Sequence, residues 1–175
     1  ANESWTRTWY GLETEVLIDQ KYGKENDWRK HFNYLLQFFK DKRYIKIDNK
    51  PMLNIYRSFD IKDFKEMLNI WNQMAIENGF SGIYIVSGNT NSQLETRVDL
   101  VNAYYNFEPG FSLKHRIGKA TALSYYLRTW VKQNINKILR KEYLERTLDV
   151  KEIYKVNWKK LKDTGKPIFP GTIPM

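Results

Sequence analysis

The sequence predicts an α/β fold in which helices link parallel strands. Two observations support this class. Short apolar runs with strand character alternate along the chain with segments of helical periodicity, and Gly, Pro and Asn mark the boundaries between them. Repeated strand–helix units place their strands in a parallel sheet. Three or four such units make about half of a (β/α)8 barrel or a complete small doubly wound sheet, and periodicity does not separate these two folds.

The first elements are a helix and two strands. Residues 27–39 carry apolar residues at helical spacing, with Asn26 or Asp27 available as the cap. The stripe that this helix would bury is Trp28, Phe32, Leu35, Leu36 and Phe39. Residues 44–48 alternate like a short strand, Asn49-Lys50-Pro51 turns the chain, and residues 52–57 are predicted to form a mostly buried strand.

A second helix and two further strands follow. Asp60 is the expected cap of this helix, and Gly79 is a typical stop. Its inner stripe is Phe64, Met67, Leu68, Trp71 and Ala75. Residues 83–86 are predicted as a strand that ends in the polar loop 87–92, and residues 100–105 as the next strand.

The last third of the chain is predicted to be mainly helical. A long helix is expected from Lys119, with an inward stripe of Leu123, Leu127, Trp130, Val131, Ile135, Ile138 and Leu139. Asp149 is the expected cap of another helix, with Val150, Ile153, Tyr154, Trp158 and Leu161 inward. Gly165-Lys166-Pro167 ends it, and Ile168-Phe169 begins a last short strand. We therefore expect a single α/β domain over 1–175, with a βα core (1–111), a basic helical region (112–166) and the last short strand (167–175).

The net charge of +9 is concentrated in that basic helical region. Residues 1–111 carry 14 Lys and Arg against 15 Asp and Glu, whereas residues 112–166 carry 15 against 5. Such a run is either a solvated helix face or a surface that contacts phosphate. The phosphate would belong to a nucleotide-sugar, a lipid-linked glycan, an anionic membrane surface or a nucleic acid. No nucleic-acid-binding motif accompanies the charge, so we expect no nucleic acid partner.

Composition excludes several kinds of site. The chain has no Cys, which excludes disulfides, thiolate metal sites and a Cys nucleophile, and fits a reducing, cytoplasmic compartment. With two His in all, it offers little for a His-based metal site or a Ser-His-Asp triad. No Gly-rich phosphate loop is present. We therefore expect no metal and no cofactor, and a cytoplasmic protein in which 112–166 is a candidate surface for membrane contact.

In either fold, ligands bind at the carboxyl ends of the strands. Two carboxylates there, Glu3 and Glu108, are candidates for catalysis, because paired carboxylates act as acid and base or as nucleophile on glycans. Amide, guanidinium and aromatic side chains there are candidates for substrate binding, because they bond sugar hydroxyls or stack on a pyranose face. These candidates are Asn2, Trp5, Arg7, Tyr56, Arg57 and Asn89.

Structural alternatives stand beside these functional interpretations. Glu3 could pair with Arg7, Arg57 could bridge a structural carboxylate, and Glu108 could serve as a turn residue before Pro109. No single residue decides between the structural and the functional interpretations.

Three segments resemble a known family. They are Ala1-Asn2-Glu3-Ser4-Trp5-Thr6-Arg7, Trp28-Arg29-Lys30-His31-Phe32 and Asp48-Asn49-Lys50-Pro51-Met52-Leu53-Asn54-Ile55-Tyr56-Arg57. The chain resembles the WbsX-like polysaccharide-biosynthesis proteins, which are related to glycoside hydrolase family 99. The resemblance is dense over residues 1–90. It implies a (β/α)8 barrel that acts on glycans in the assembly of surface polysaccharide or O-antigen.

The same resemblance implies that this chain is the central part of a larger barrel. Family members have a strand before Ala1-Asn2-Glu3 and more barrel after Pro174, and the related hydrolases carry their catalytic carboxylates in a late Asn-Glu-Trp-type segment that this sequence lacks. We therefore expect the central portion of a glycosyltransferase or glycoside hydrolase, inactive alone, whose open sheet edges favour self-association. The alternative is a non-catalytic module that binds glycan or anionic lipid.

Overall fold

A computed structural model describes residues 4–7, 12–89, 97–115, 119–141, 144 and 165–171. These residues fall into two compact units. The first contains residues 21–89, 97–107 and 165–171, and the second contains residues 4–7, 12–20, 108–115, 119–141 and 144. Each unit is described by itself below.

The described residues form seven strands and four α-helices. In chain order they are β1 (Trp5–Arg7), β2 (Leu12–Ile18), α1 (Glu25–Phe39), β3 (Lys46–Ile47), β4 (Lys50–Ile55), α2 (Phe64–Glu77), β5 (Tyr84–Asn89), β6 (Ala103–Asn106), α3 (Gly110–His115), α4 (Lys119–Leu139) and β7 (Ile168–Phe169). Among the described helices, none is both long enough and apolar enough to cross a membrane.

The first unit is built on a five-stranded sheet in the order β3-β4-β5-β6-β7. Strands β4, β5, β6 and β7 are parallel, and β3 is antiparallel to β4 at one end. Helix α2 lies between β4 and β5 in the chain, as expected for a βα unit. The predicted α/β class with a parallel sheet is therefore confirmed, including the short last strand at Ile168–Phe169.

The core of the first unit contains most of the predicted inner stripes. Both helices and the sheet contribute to one apolar cluster, with residues such as Phe32, Phe64 and Ile85 almost fully buried. Burying a side chain of this size stabilises the fold by about 1.5–3 kcal/mol. Two indole groups also donate hydrogen bonds inside this layer: Trp28 Nε1 to Tyr22 O at 2.7 Å and Trp71 Nε1 to Trp28 O at 2.9 Å. These bonds connect α1 to α2 and to the segment before α1.

Helix α1 begins two residues before its predicted start. Lys24 is the cap residue, and Asp27 occupies the third helical position. The Asp27 carboxylate accepts a hydrogen bond from the Lys24 backbone N–H at 3.1 Å, so it stabilises the helix start from inside the first turn. The predicted cap, Asn26 or Asp27, is therefore wrong, because both residues lie inside the first turn of the helix.

The turn between β3 and β4 also differs from the prediction. It lies at Asp48 and Asn49, whose φ angles are 50° and 58°. Asn and Asp tolerate this left-handed conformation better than most residues, and two such residues in a row suit a tight hairpin. Strand β4 can therefore begin at Lys50, earlier than expected.

Strand β5 continues through the segment predicted as a loop. Ser87, Gly88 and Asn89 are strand residues, and all three are buried. Gly88 pairs with Tyr105 and Asn89 with Asn106 in the register with β6. Polar residues are tolerated in a buried strand when their side chains are hydrogen-bonded. Sequence periodicity shows that these residues are polar but does not reveal their hydrogen-bonding partners. The predicted strand therefore ends too early.

The predicted inward stripe of α4 is wrong. Its seven apolar residues are all exposed, by 38% to 80%. The more buried face of the helix is instead mainly polar: Asn136 is buried, and Tyr125, Thr129, Lys132 and Gln133 are half-buried. Asn136 donates to Leu144 O and accepts from Leu144 N, each at 2.9 Å, so this face meets the chain that follows the helix. Periodicity locates an apolar face but does not determine which face the fold covers.

The second unit also contains β1 and β2, which pair in antiparallel fashion. The helix predicted from Asp149 lies outside the described residues.

Candidate functional site

The carboxyl ends of three neighbouring parallel strands bring polar and aromatic residues together in the first unit. Tyr56 and Arg57 follow β4, Asn89 ends β5, and Asn106 ends β6. Residues Tyr56, Gly88, Asn89, Tyr105, Asn106 and Phe107 are called the strand-end cluster below. Ligands of open and closed α/β sheets bind at this end of the strands.

Gly88 allows the strand-end cluster to pack closely. A Cβ atom at this position would lie 2.5 Å from Tyr56 O and 2.9 Å from both Cζ and the hydroxyl oxygen of Tyr105. Any side chain would therefore collide with backbone on one side and with an aromatic ring on the other. The missing side chain lets Tyr56 and Tyr105, from the two flanking strands, close over the middle strand.

An aromatic surface results from this packing. The rings of Tyr56 and Phe107 meet edge to face, with centroids 4.7 Å apart and an interplanar angle of 68°. Phe107 is exposed, and Tyr56 and Tyr105 are half-buried. Burial raises the pKa of Tyr105, and the nearby Tyr56 raises it further, so its hydroxyl stays a neutral donor at physiological pH. Such a surface can stack against the apolar face of a sugar ring.

An amide pair lies beside these rings. Asn89 Nδ2 donates to Asn106 Oδ1 at 3.2 Å, and both residues are buried. Phe107 N donates to Asn89 O at 2.9 Å and extends the strand register beyond β6. An Asn amide offers two donors and an acceptor with two lone pairs, so the bond between the two residues uses part of their capacity. The remaining capacity suits sugar hydroxyls, which both donate and accept.

A buried hydroxyl pair supports the same strand ends. The Oγ atoms of Ser58 and Ser87 are 2.5 Å apart, and both side chains are fully buried. Arg97 donates to Ser58 O at 2.7 Å and lies over the Phe64 ring at 5.1 Å. The turn after β4 is therefore fixed both to β5 and to the segment before β6, which positions Tyr56 and Arg57.

Arg57 makes the structural contact that the sequence left open. Its Nε lies 2.8 Å from Asp60 Oδ2, and its guanidinium lies over the Phe59 ring at 5.4 Å. Both partners, Asp60 and Phe59, are in the short 3₁₀ turn Ser58–Asp60. A role for Arg57 in substrate binding stays a prediction, and the observed role is to stabilise this turn.

Four further candidate residues come from the start of the chain. Trp5 is exposed in β1 of the second unit, where it pairs with Ile18. Arg7 is also a β1 residue, and its side chain is not described. Asn2 and Glu3 lie outside the described residues. Their predicted roles in the site remain predictions.

Glu108 has a structural contact in the second unit. Its Oε2 accepts a hydrogen bond from Ser112 N at 3.0 Å, and its Oε1 accepts one from Ser112 Oγ at 2.8 Å. Both carboxylate oxygens thus stabilise the first turn of α3, where backbone N–H groups lack helical acceptors. The proposed catalytic role of Glu108 stays a prediction.

Four residues of this region are not among the candidate site residues, although the sequence places Ser58 and Asn106 at strand ends. Asn106, Gly88, Ser58 and Arg97 each position or extend the strand-end cluster. A signal exists for Gly88, because a Gly between polar residues after a buried apolar run indicates close backbone approach. For Ser58 and Arg97 the decisive contacts are long-range and leave no local pattern. Within the described part of the chain, no group of three or more His, Asp or Glu could hold a metal ion.

Comparison with known proteins gives one family match. The family model described as "Glycosyltransferase WbsX" matches residues 1–175. Two curated relatives are each 26% identical over 85 residues, which is 49% of this chain and 12% of theirs. Both are named "Uncharacterized protein WxcX" and come from Xanthomonas campestris pv. campestris, strains B100 and ATCC 33913. The matched region spans about an eighth of the length of these relatives. No solved structure matches significantly.

Proposed function

The chain belongs to the glycosyltransferase WbsX family, and from this premise we propose that it holds a glycan at the strand-end cluster during surface-polysaccharide or O-antigen synthesis. The partner is a carbohydrate, a nucleotide-sugar or a lipid-linked glycan. The proposed activity of the whole protein is glycosyl transfer or hydrolysis of a glycosidic bond. The 175-residue chain by itself is proposed to bind the glycan without catalysing a reaction.

The strand-end cluster is the observation that carries this proposal. Exposed aromatic edges, an amide pair and a neutral tyrosine hydroxyl meet at the carboxyl ends of β4, β5 and β6. This mixture suits a pyranose, which has an apolar face and a rim of hydroxyls. It offers no concentration of positive charge for bare phosphate, since Arg57 is already paired with Asp60.

A partial (β/α)8 barrel, about half of a complete one, is the fold that we propose for this chain around the five-stranded sheet. The four parallel strands β4 to β7 supply several successive strands, and ligand sites of such barrels lie at the carboxyl ends. Tyr56 and Asn89 of the strand-end cluster are proposed to contact the substrate, and Asn2, Trp5, Arg7 and Arg57 are further proposed substrate-binding residues. Glu3 and Glu108 are the proposed catalytic carboxylates.

Binding is tested with Phe107→Ala on an oligosaccharide array. A matched control is Phe38→Ala on α1, because Phe38 also forms an edge-to-face pair, with Tyr34, and has nearly the same exposure (43% against 46% for Phe107). We expect Phe107→Ala to weaken binding about tenfold, since losing a stacked aromatic costs about 1–1.5 kcal/mol. Phe38→Ala should bind like the wild type. Equal effects of the two substitutions would contradict a glycan site at the cluster.

Catalysis is tested separately in the full-length protein with Glu3→Ala. If Glu3 stabilises charge in the transition state, kcat should fall about a hundredfold or more. Unchanged turnover together with unchanged glycan affinity would remove Glu3 from the mechanism while leaving the proposed binding site intact.

A further inference from the structure

Helix α4 exposes a broad apolar face. At about 100° per residue, the residues Leu123, Leu127, Trp130, Val131, Ile135 and Ile138 fall within a sector about 140° wide, with Ser124 and Asn134 among them. All six apolar residues are exposed. Monomeric proteins seldom leave a contiguous apolar surface of this kind uncovered.

The charges around this face have a single sign. Residues 119–141 contain Lys119, Arg128, Lys132, Lys137, Arg140 and Lys141, and no Asp or Glu. On the helical projection, Arg128 and Lys137 lie at the two edges of the apolar sector, and both side chains are exposed. An apolar face bordered by cations is typical of helices that lie in the plane of a membrane interface.

We infer that α4 binds an anionic lipid surface, with its apolar sector in the headgroup–acyl boundary and its flanking cations on lipid phosphate. A second copy of this helix fits less well, because face-to-face packing would bring the cations of both copies together. Nucleic acid would satisfy the charge but would leave the apolar sector in contact with a polar backbone. A bilayer of anionic lipid would contact both the cations and the apolar sector. Trp130 and Tyr126 belong to the residue types enriched at such interfaces.

Co-sedimentation of the chain with vesicles tests this inference. We expect binding to vesicles of phosphatidylglycerol and phosphatidylcholine, and much weaker binding to phosphatidylcholine alone. Raising the salt from about 0.1 M to about 1 M shortens the Debye length from about 10 Å to about 3 Å, so binding to the anionic vesicles should fall. Equal binding to both vesicles, or none to either, would overturn the inference.

Two variants of α4, each with a matched control, separate the contribution of the edge cations from that of the apolar sector. Removing the edge cations with Arg128→Gln/Lys137→Gln should weaken binding about 30-fold, because each cation near an anionic surface contributes about fivefold. The matched control Lys62→Gln/Lys65→Gln removes the same charge from exposed residues of the first unit. Leu127→Gln should weaken binding about tenfold, whereas Ile76→Gln, at nearly the same exposure (62% against 60%), should not. Controls that weaken binding as much as the α4 variants would contradict a specific role for α4.

A spectroscopic readout locates the contact. Trp130→Phe keeps an apolar ring, so it should retain binding while losing most of the blue shift of Trp fluorescence that vesicles induce. An unchanged blue shift would place a different Trp at the lipid and overturn the assignment to α4. Concentration-dependent dimerisation without vesicles, abolished by Leu127→Gln, would identify a second copy as the occupant and would also overturn it.

Discussion

The end of β5 and helix α4 both reverse the usual arrangement of polar and apolar residues. At the end of β5, Ser87 and Asn89 are polar yet buried. In α4, residues such as Trp130 and Ile138 are apolar yet exposed. The two reversals differ in how they are compensated. The two buried polar side chains of β5 have hydrogen-bonding partners inside the same unit, Ser58 for Ser87 and Asn106 for Asn89.

This difference indicates where each region meets its ligand. The buried polar residues Ser87 and Asn89 are hydrogen-bonded to side chains of neighbouring segments, so they fix the geometry of a preformed surface. Exposed apolar residues form no hydrogen bonds with water. Covering a face like that of α4 therefore lowers the free energy of the system. The first region is therefore suited to recognising a small ligand, and the second to docking on an extended surface. The predictions below test this contrast.

The largest difference is expected between two identical substitutions. Leu68 on α2 is 4% exposed, whereas Leu127 on α4 is 60% exposed. Leu68→Ala should lower the free energy of unfolding by about 2–5 kcal/mol, because it opens a cavity in the core. Leu127→Ala should change it by less than about 0.5 kcal/mol. Urea denaturation measures both, and a large loss in Leu127→Ala would show that α4 is covered within this chain.

A pair of glycine substitutions tests the close packing of the strand-end cluster. Gly88→Ala places a methyl group 2.5 Å from Tyr56 O, so we expect about 2–3 kcal/mol of destabilisation and weaker glycan binding. Gly79→Ala is the control. Its φ of +85° makes Ala strained there, but nothing lies within 4 Å, so about 1 kcal/mol is expected with no effect on binding. Denaturation combined with the oligosaccharide array distinguishes them, and equal stability losses would argue against steric packing at Gly88.

A double-mutant cycle tests the hydroxyl pair that fixes β4 to β5. Ser87→Ala should cost about 1–2 kcal/mol, because it removes a hydrogen bond between two fully buried hydroxyls. Adding Ser58→Ala should cost much less than its effect alone, giving a coupling of about 1 kcal/mol. Additive losses, measured by the same denaturation, would indicate that the two hydroxyls do not stabilise each other.

The sequence predicts local patterns better than it predicts partners. The stripes of α1 and α2, the parallel class of the sheet and the strand-end positions of Tyr56 and Asn89 follow from periodicity and chain order. The extension of β5 does not, because it depends on Ser58 and Asn106, which are distant in sequence. The orientation of α4 cannot be predicted from the sequence for the same reason. An apolar stripe indicates that a partner covers it, but it does not show that the partner belongs to this chain.

The smallest effect is expected from the pH dependence of α1. The imidazole of His31 stands edge-on to the Trp71 ring at 5.4 Å, and its desolvation lowers the pKa of His31 below the ordinary value of 6.5. The unfolded chain therefore binds a proton more readily than the folded chain, so stability contributed at this position is lost as the pH falls through 6.5. His31→Gln should remove this part of the pH dependence between about pH 7 and pH 5. Identical stability profiles for wild type and variant would show that the α1–α2 contact tolerates a charged imidazole.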